Sequence, residues 1–447
     1  MIQTIRNAWK IPEIRKKVLF TAFVILIYRL GAAIPVPFLN IGPDGILGAG
    51  AVTSATFFDY INMISGNAFN YGTIFAMSIT PYINSSIIIQ LLTVAIPALE
   101  RLSKEGEEGR KKIAKITRYV TIGLGLLQAV AYFVFLRSQN ALSATDGTFA
   151  KVFQALVIIL VLTAGTSLTM WLGEQINDKG IGNGISMILF AGIVSRIPSY
   201  IGQLYGYLQY GGVYIPFTII AALSLILLIV FIVWMDNAER RIPVQYTKRV
   251  VGRKMYGGQS SHIPIKVNMS GVLPVIFASS ILSLPTTIQM FVDVKADSGW
   301  DKFFSVFTTE HWAYTIIYFV LIIFFAYFYS SIQYNPIEMA NNLAKNSGTI
   351  PGVRTGRPTS DYIAKVISKI VLLGALLLSV VALFPILYSQ LTSVICKAVG
   401  QVSAEGIAGV SISLGGTSII ILVGVALETV KQLESQMMMR HYKGFLD

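Results

Sequence analysis

The stretch SITPYINSSIIIQLL, Ser78 to Leu92, decides how this chain is read. It sits in an apolar run from about Gly72 to Pro97. That is long enough to cross a bilayer, which takes roughly 20 mostly apolar residues. Yet it carries Thr80, Pro81, Asn84, Ser85, Ser86 and Gln90. Lipid offers such groups no hydrogen-bond partners, and burying them unpaired is costly. Part of this helix must therefore face something other than lipid. At helical spacing, positions 79, 83, 86 and 90 share a face and read Ile79, Ile83, Ser86, Gln90. That face is apolar at one end and polar at the other. Two readings fit it. One is helix–helix packing through small and hydroxyl residues. The other is one wall of a hydrated cavity closed by an isoleucine constriction.

Composition fixes the setting. Of 447 residues, 54% are hydrophobic and 13% charged, with a mean hydropathy of +0.65. A soluble domain carries about 25% charged residues, so this is a polytopic membrane protein. Ten apolar runs are long enough to span, near 18–36, 72–97, 119–136, 152–172, 184–200, 214–235, 271–291, 313–333, 364–386 and 410–430. The first follows a basic start, as a signal peptide does. No small-residue cleavage site follows it, so a retained first span is expected. The net charge of +13 is unevenly placed. With a cytoplasmic N-terminus, segments 1–17, 98–118, 173–183, 236–270, 334–363 and 431–447, with Lys365, hold 27 Lys and Arg. The outer loops then hold five: Arg137, Lys151, Lys295, Lys302 and Lys397. This bias puts both termini in the cytoplasm. Five spans per half make the second half run opposite to the first, so halves of shared fold would be inverted repeats. The expected class is an all-α polytopic membrane protein. Its ten transmembrane helices form two inverted five-helix halves, 1–200 and 201–447, around a central pore.

Several function classes are disfavoured. The single cysteine, Cys396, allows no internal disulfide. His262, His311 and His441 lie far apart without metal-ligand spacing, so no metal and no cofactor is expected. No nucleophile, base and acid set stands out, which argues against an enzyme. GIGNG, Gly180 to Gly184, has no strand before it, and EGEEGRKK lacks the spacing of a P-loop. No span carries a charge near its middle, since Arg29, Glu174, Asp236, Glu338 and Glu428 all lie toward ends. Ion-coupled transporters usually place an ionisable group at the midplane. A ten-span secondary transporter is therefore the alternative to a channel. Semi-polar residues, among them Thr163, Thr166, Ser167, Thr169, Ser279, Ser280, Ser283, Gly415, Gly416, Thr417 and Ser418, suit a path for something large and variable.

Two further features stand outside the spans. ATFFDYINMI, Ala55 to Ile64, is too short to cross and ends in Ser65, Gly66 and Asn67. Its apolar side chains are poorly placed in external water, which points to a half-helix folded back into the protein. A surface-lying amphipathic helix is the alternative. The loops 236–270 and 334–363 are long and basic. The first holds β-prone IPVQY and HIPIKV around the turn-like YGGQSS, with Arg240, Arg241, Lys248, Arg249, Arg253 and Lys254. It is expected as an extended hairpin tipped with cations. The second sets Arg354 and Arg357 in a Gly/Pro-rich frame. Together they read as a docking platform for RNA phosphates or acidic protein surfaces.

Taken together, YRLGAAIPVP, SITPYINSSIIIQLL, KEGEEGRKKIAKITRY, GIGNGISMILFAGI, SSHIPIKVNMSGVLPVIFASSI, PGVRTG and GGTSIIILVGVALE carry a resemblance. From about residue 15 to its end, the chain resembles the SecY family, the channel subunits of the bacterial Sec protein translocase. The resemblance implies a channel that passes unfolded secretory polypeptides across the cytoplasmic membrane and releases hydrophobic segments sideways into it. It implies a pore ring of Ile79, Ile83, Ile185, Leu189, Ile276 and Ile421, with leucine at 189 where the family often has isoleucine. The 55–67 segment, with Phe57, Phe58, Tyr60, Ile61 and Ile64, would be a re-entrant plug. Gln90, Asn183 and Ser280 would lie near a lateral gate. Arg253, Lys254 and Arg354 match positions the family uses for docking, and Arg357 stands in a less regular part of its loop. The implied partners are SecE, often SecG, the SecA motor, the ribosome, signal peptides and nascent chains, and membrane lipids. The channel itself would hydrolyse no nucleotide.

Overall fold

Proline and asparagine set many of the helix starts. α1 (Pro12–Gly31) and α2 (Thr80–Ala95) each have a proline in the first two positions, where no backbone N–H is needed. α3 (Pro97–Lys104) begins on Pro97, and the residue before it, Ile96, is held extended at φ −108°, ψ 112°. The chain therefore turns by 102° between α2 and α3. Asn183 caps α6 (Gly184–Val194) by accepting from the backbone N–H of Ile185 and Ser186. Asn335 caps α12 (Pro336–Lys345) in the same way.

The computed structural model describes residues 6–443 except 7, 43–44, 47–61, 63, 145–146, 247–248, 252–253, 257–259, 292–298, 309–310, 400–408 and 411–414. These residues divide into two compact units. The first is Met1–Gln203 with Val425–Asp447, and the second is Leu204–Gly424.

In the first unit, α4 (Glu107–Ser138) packs on α2 and on α5 (Thr148–Lys179), and α1 packs on α5 and α6. α7 (Ile197–Gln209) follows α6. Phe69, Met77, Tyr132, Phe135, Leu136, Ile158 and Leu162 form one buried cluster. The expected second span, 72–97, is cut short, since residues 66–79 run as turns and α2 starts only at Thr80. Non-helical backbone at membrane depth must find partners inside the protein. Here Tyr132 donates to the Phe69 carbonyl at 2.5 Å and Thr169 to the Ser78 carbonyl at 3.2 Å. The Tyr28 and Ser78 hydroxyls bond each other at 2.8 Å.

In the second unit, α9 (Leu273–Phe291), α11 (Trp312–Gln333) and α13 (Arg357–Val399) pack side by side, with α8 (Tyr214–Asn237) and α12 against α13. α10 (Gly299–Ser305) is short. α13 has 43 residues, a length of about 65 Å at 1.5 Å per residue, twice what the hydrocarbon core requires. α14 (Gly416–Lys443) ends the described chain. Each of the ten apolar runs carries a helix over at least part of its length. Among the described residues, seven helical runs are long and apolar enough to cross a membrane, with α6–α7 and α11–α12 each counted as one, and the bent α2–α3 pair makes an eighth. α1 misses that measure because Glu13, Arg15, Lys16, Lys17 and Arg29 share its 20 residues.

The helices are not the whole architecture. β1 (Glu239–Tyr246) pairs antiparallel with β4 (Ser260–Lys266) from Glu239↔Lys266 to Gln245↔Ser260. Between them β2 (Arg249–Val251) and β3 (Lys254–Tyr256) form a smaller hairpin. Tyr256 of the expected YGGQSS turn is thus paired in β3 and Ser260–Ser261 in β4, while its residues 257–259 lie outside the described residues. β5 (Gly348–Thr349) pairs with the end of β1, giving the order β4-β1-β5.

Candidate functional site

The apolar ring candidates are built into well-packed helices. Ile79 is the N-cap of α2 and fully buried, and Ile83, one turn on, is 9% exposed. On α6, Leu189 is buried and Ile185 half-buried. Ile79 and Ile185 come together at Gly173 of α5, since a methyl group there would lie 3.6 Å from both Ile79 Cδ1 and Ile185 Cγ1, and 3.5 Å from Ile188 Cδ1. A side chain at 173 would crowd both. The sequence reading missed this glycine; its signal was a small residue near the inner end of an otherwise bulky span. In the second unit, Ile276 on α9 and Ile421 on α14 are buried.

Polar groups along the same helices divide by role. Gln90 and Asn183 are exposed, and Ser86 and Ser280 are half-buried. The hydroxyls of α5, read from sequence as lining a path, do something else. Thr163, Thr166 and Ser167 each bond the carbonyl one turn back, and Thr166 and Thr169 are buried. Thr169 bonds the carbonyls of Gly165, Thr166 and Ser78. A hydroxyl in an apolar helix can satisfy itself locally. These residues therefore let α5 lie against the 66–79 turns. Ser279 similarly donates to the Ile276 carbonyl at 2.9 Å.

Of the plug candidates, Ile64 is fully buried. Phe57, Phe58, Tyr60 and Ile61 lie outside the described residues. Beyond Ile64 the chain is tightly specified. Asn62 accepts from the Asn70 N–H at 3.1 Å and donates to Asn67 at 3.0 Å, and Ser65 accepts from the Phe69 N–H at 3.2 Å. All three buried polar residues, Asn62, Ser65 and Asn70, are thus paired.

The basic loops join into one surface. Because β5 adds to β1, the 334–363 segment and the 236–270 hairpin share a sheet. Ile242 and Val244 on β1, Ile265 on β4, Leu343, Ile350, Ile363 and Ile367 form a buried cluster beneath it. The alternation of β1 sends Ile242 and Val244 inward and leaves Arg241 exposed. Arg240 is exposed as well, and Arg241 bonds Glu239 at 2.7 Å. Arg249 lies on β2 and Lys254 on β3, in register positions Arg249↔Tyr256 and Val251↔Lys254. Lys248 and Arg253 are outside the described residues. Arg354 and Arg357 are exposed at the start of α13, where the Arg354 carbonyl accepts from Thr359 at 2.7 Å. The result is a cation-bearing sheet seated on the helix ends. Short-range composition gave the strands but not β5, whose pairing spans about a hundred residues of sequence.

No group of three or more metal-ligating side chains occurs among the described residues. The backbone arrangement matches that of protein-conducting membrane channels. The solved structure of a protein conducting channel superposes with a TM-score of 0.60 at 18% identity, covering 96% of each chain. Sec61 in the canine ribosome-channel complex gives 0.56 at 16% identity, again with 96% of each chain covered. In sequence, the protein translocase subunit SecY of Mycobacterium bovis is 42% identical over 457 residues, covering 100% of both chains. The family model of SecY matches residues 73–430. The chain belongs to the SecY family. It is a ten-helix channel subunit of a protein translocase and not a catalytic enzyme.

Proposed function

We propose that the channel closes at a waist of Ile79, Ile83, Ile185, Leu189, Ile276 and Ile421, through which unfolded secretory polypeptides pass. The observation that carries this reading is that these apolar side chains are buried, Ile185 half-buried, beside a helix, α2, that turns polar and exposed by Gln90. Isoleucine and leucine offer a passing chain nothing to hold, and a ring of them closes by excluding water. The apolar 55–67 segment supplements this seal as a plug. Gln90, Asn183 and Ser280 flank the seam through which hydrophobic segments leave for the lipid. The test is photo-crosslinking from Ile83 and Ile276 to a stalled translocating chain. Both sites should capture it, whereas Leu127, 63% exposed on α4, should not. Equal capture at Leu127 would remove the waist.

The cationic sheet is the docking surface for a translation or motor partner. The similarity to Sec61 in a ribosome complex supports the ribosome as that partner, and the SecA motor is the second candidate for the same surface. SecE and SecG complete the channel. The protein sits in the cytoplasmic membrane, and the Lys and Arg bias supports an orientation with both termini in the cytoplasm.

A further inference from the structure

Arg29 is a charged residue in the last turn of a membrane-spanning helix. It takes part in none of the ion pairs among the described residues. Its guanidinium instead donates from Nη2 to the Ala191 carbonyl and to Ser195 Oγ. Both acceptors belong to the C-terminal end of α6, where a helix presents its unpaired carbonyls and the negative end of its dipole. Ser195 in turn donates to the Gly192 carbonyl at 2.7 Å. Three groups at one helix end are thus organised around one cation.

The turn that follows Ile64 is laid against this centre. A methyl group at Gly66 would lie 2.6 Å from both Arg29 Nη2 and Ser195 Oγ, and 2.7 Å from the Gly192 carbonyl oxygen. Gly66 has φ +67°, a left-handed conformation that glycine adopts freely. Gly192 is equally constrained, because a side chain there would collide with the Ile64 carbonyl. α1 holds the same segment at a second point. The Arg29 guanidinium lies 5.4 Å from the centre of the Tyr28 ring. Tyr28 stacks on Phe75 at 5.6 Å and bonds Ser78 at 2.8 Å.

We infer that Arg29 is a positioning residue that pins residues 64–67 to the end of α6 and so keeps the resting channel sealed. Its effect on sealing rests on the closed-waist reading above; its effect on the turn does not. The planar guanidinium holds the two N–H bonds of Nη2 in fixed directions toward a carbonyl and a hydroxyl, whereas a lysine ammonium on its flexible stem is not pre-organised in this way. Side chains at 66 or 192 would push the turn off the helix end, which explains two glycines facing each other across an otherwise bulky contact.

The experiment uses the full chain in membranes, with Cys396→Ala removing the one native cysteine. Ser65→Cys reports on the turn, since Ser65 is fully buried. Ala141→Cys, also at a buried position in unit 1, reports on general loosening. A membrane-impermeant maleimide is added, and resting ion leak is measured in parallel. Arg29→Gln should raise labelling at 65 by about tenfold or more, the change expected when charge-assisted hydrogen bonds are lost. It should leave labelling at 141 unchanged and raise the leak. Unchanged labelling at 65, or an equal rise at 141, overturns the proposal. A rise at 65 without leak overturns the sealing role, provided Ile83→Asn leaks. If Ile83→Asn is also tight, the failure belongs to the waist reading instead. Should Arg29→Gln fail to accumulate, Arg29→Lys reads the same quantity. It should give labelling at 65 above the unmutated level, and labelling at that level would overturn the proposal.

Discussion

Replacing Ile83 tests the waist with a magnitude that the structure supplies. Ile83 is 9% exposed. Full burial of an isoleucine contributes about 1.5–3 kcal/mol, so opening that exposes Ile83 loses about 2 kcal/mol from this side chain. With asparagine in its place that contribution disappears, and the open population rises roughly 30-fold, at tenfold per 1.4 kcal/mol. An amide left dry and unpaired costs about 1–3 kcal/mol more, which favours wetting of the constriction. Ile83→Val removes one methylene, about 0.8 kcal/mol, and should change the ratio only about fourfold. Ile83→Leu should change little. The assay is ion leak from vesicles holding the purified channel, read beside export of a substrate with a weakened signal sequence. The order Asn, then Val, then Leu is expected in both. If the asparagine and valine variants leak equally, or neither exceeds the unmutated channel, Ile83 does not form the seal.

Other outcomes follow from the second unit and the loops. Arg240→Glu with Arg241→Glu reverses two exposed charges, and should weaken ribosome or SecA binding in low salt. The defect should shrink in 1 M salt, where the Debye length falls to about 3 Å; sedimentation with ribosomes and with SecA tells which partner uses the sheet. Ile265→Ala and Ile363→Ala each empty a buried site under the sheet and should each cost about 2–5 kcal/mol locally. Limited proteolysis within 236–270 should then speed up while the spans stay protected. Gly374→Ala places a methyl group against the Val267 carbonyl oxygen, with an expected loss of about 1–3 kcal/mol in thermal unfolding.

Much of this architecture could be read from the chain because membrane spans advertise themselves by length and hydropathy. The ten apolar runs all carry helices, and Pro97 after Ile96 marks where α2 must break. The strands followed from β-branched runs such as HIPIKV. What escaped was settled at a distance. Residues 66–79 begin at a break marked by Gly66 and Asn67, but from Gly72 onward they are apolar enough to pass for the start of a span. Their conformation depends on Tyr28, Tyr132 and Thr169, which arrive from three other helices. The β5 pairing is equally silent in sequence, since Gly348 and Thr349 are too few to show a period.

The same distinction decides what the polar residues of the spans mean. From sequence, a threonine in a membrane helix can face water, a neighbouring helix or its own backbone, and the three look alike. Here Thr163, Thr166 and Thr169 turn back on α5, and Thr169 adds a bond to the Ser78 carbonyl just before α2 begins. That bond fixes where Ile79 stands. Gly173, one turn along α5, leaves the space that Ile79 and Ile185 occupy. The placement of Ile79 and Ile185, two members of the proposed waist, therefore depends on Thr169 and Gly173. Substituting the isoleucines should change the proposed seal. Substituting Thr169 or Gly173 should move it, and Gly173→Leu should disturb both Ile79 and Ile185 while leaving their chemistry intact.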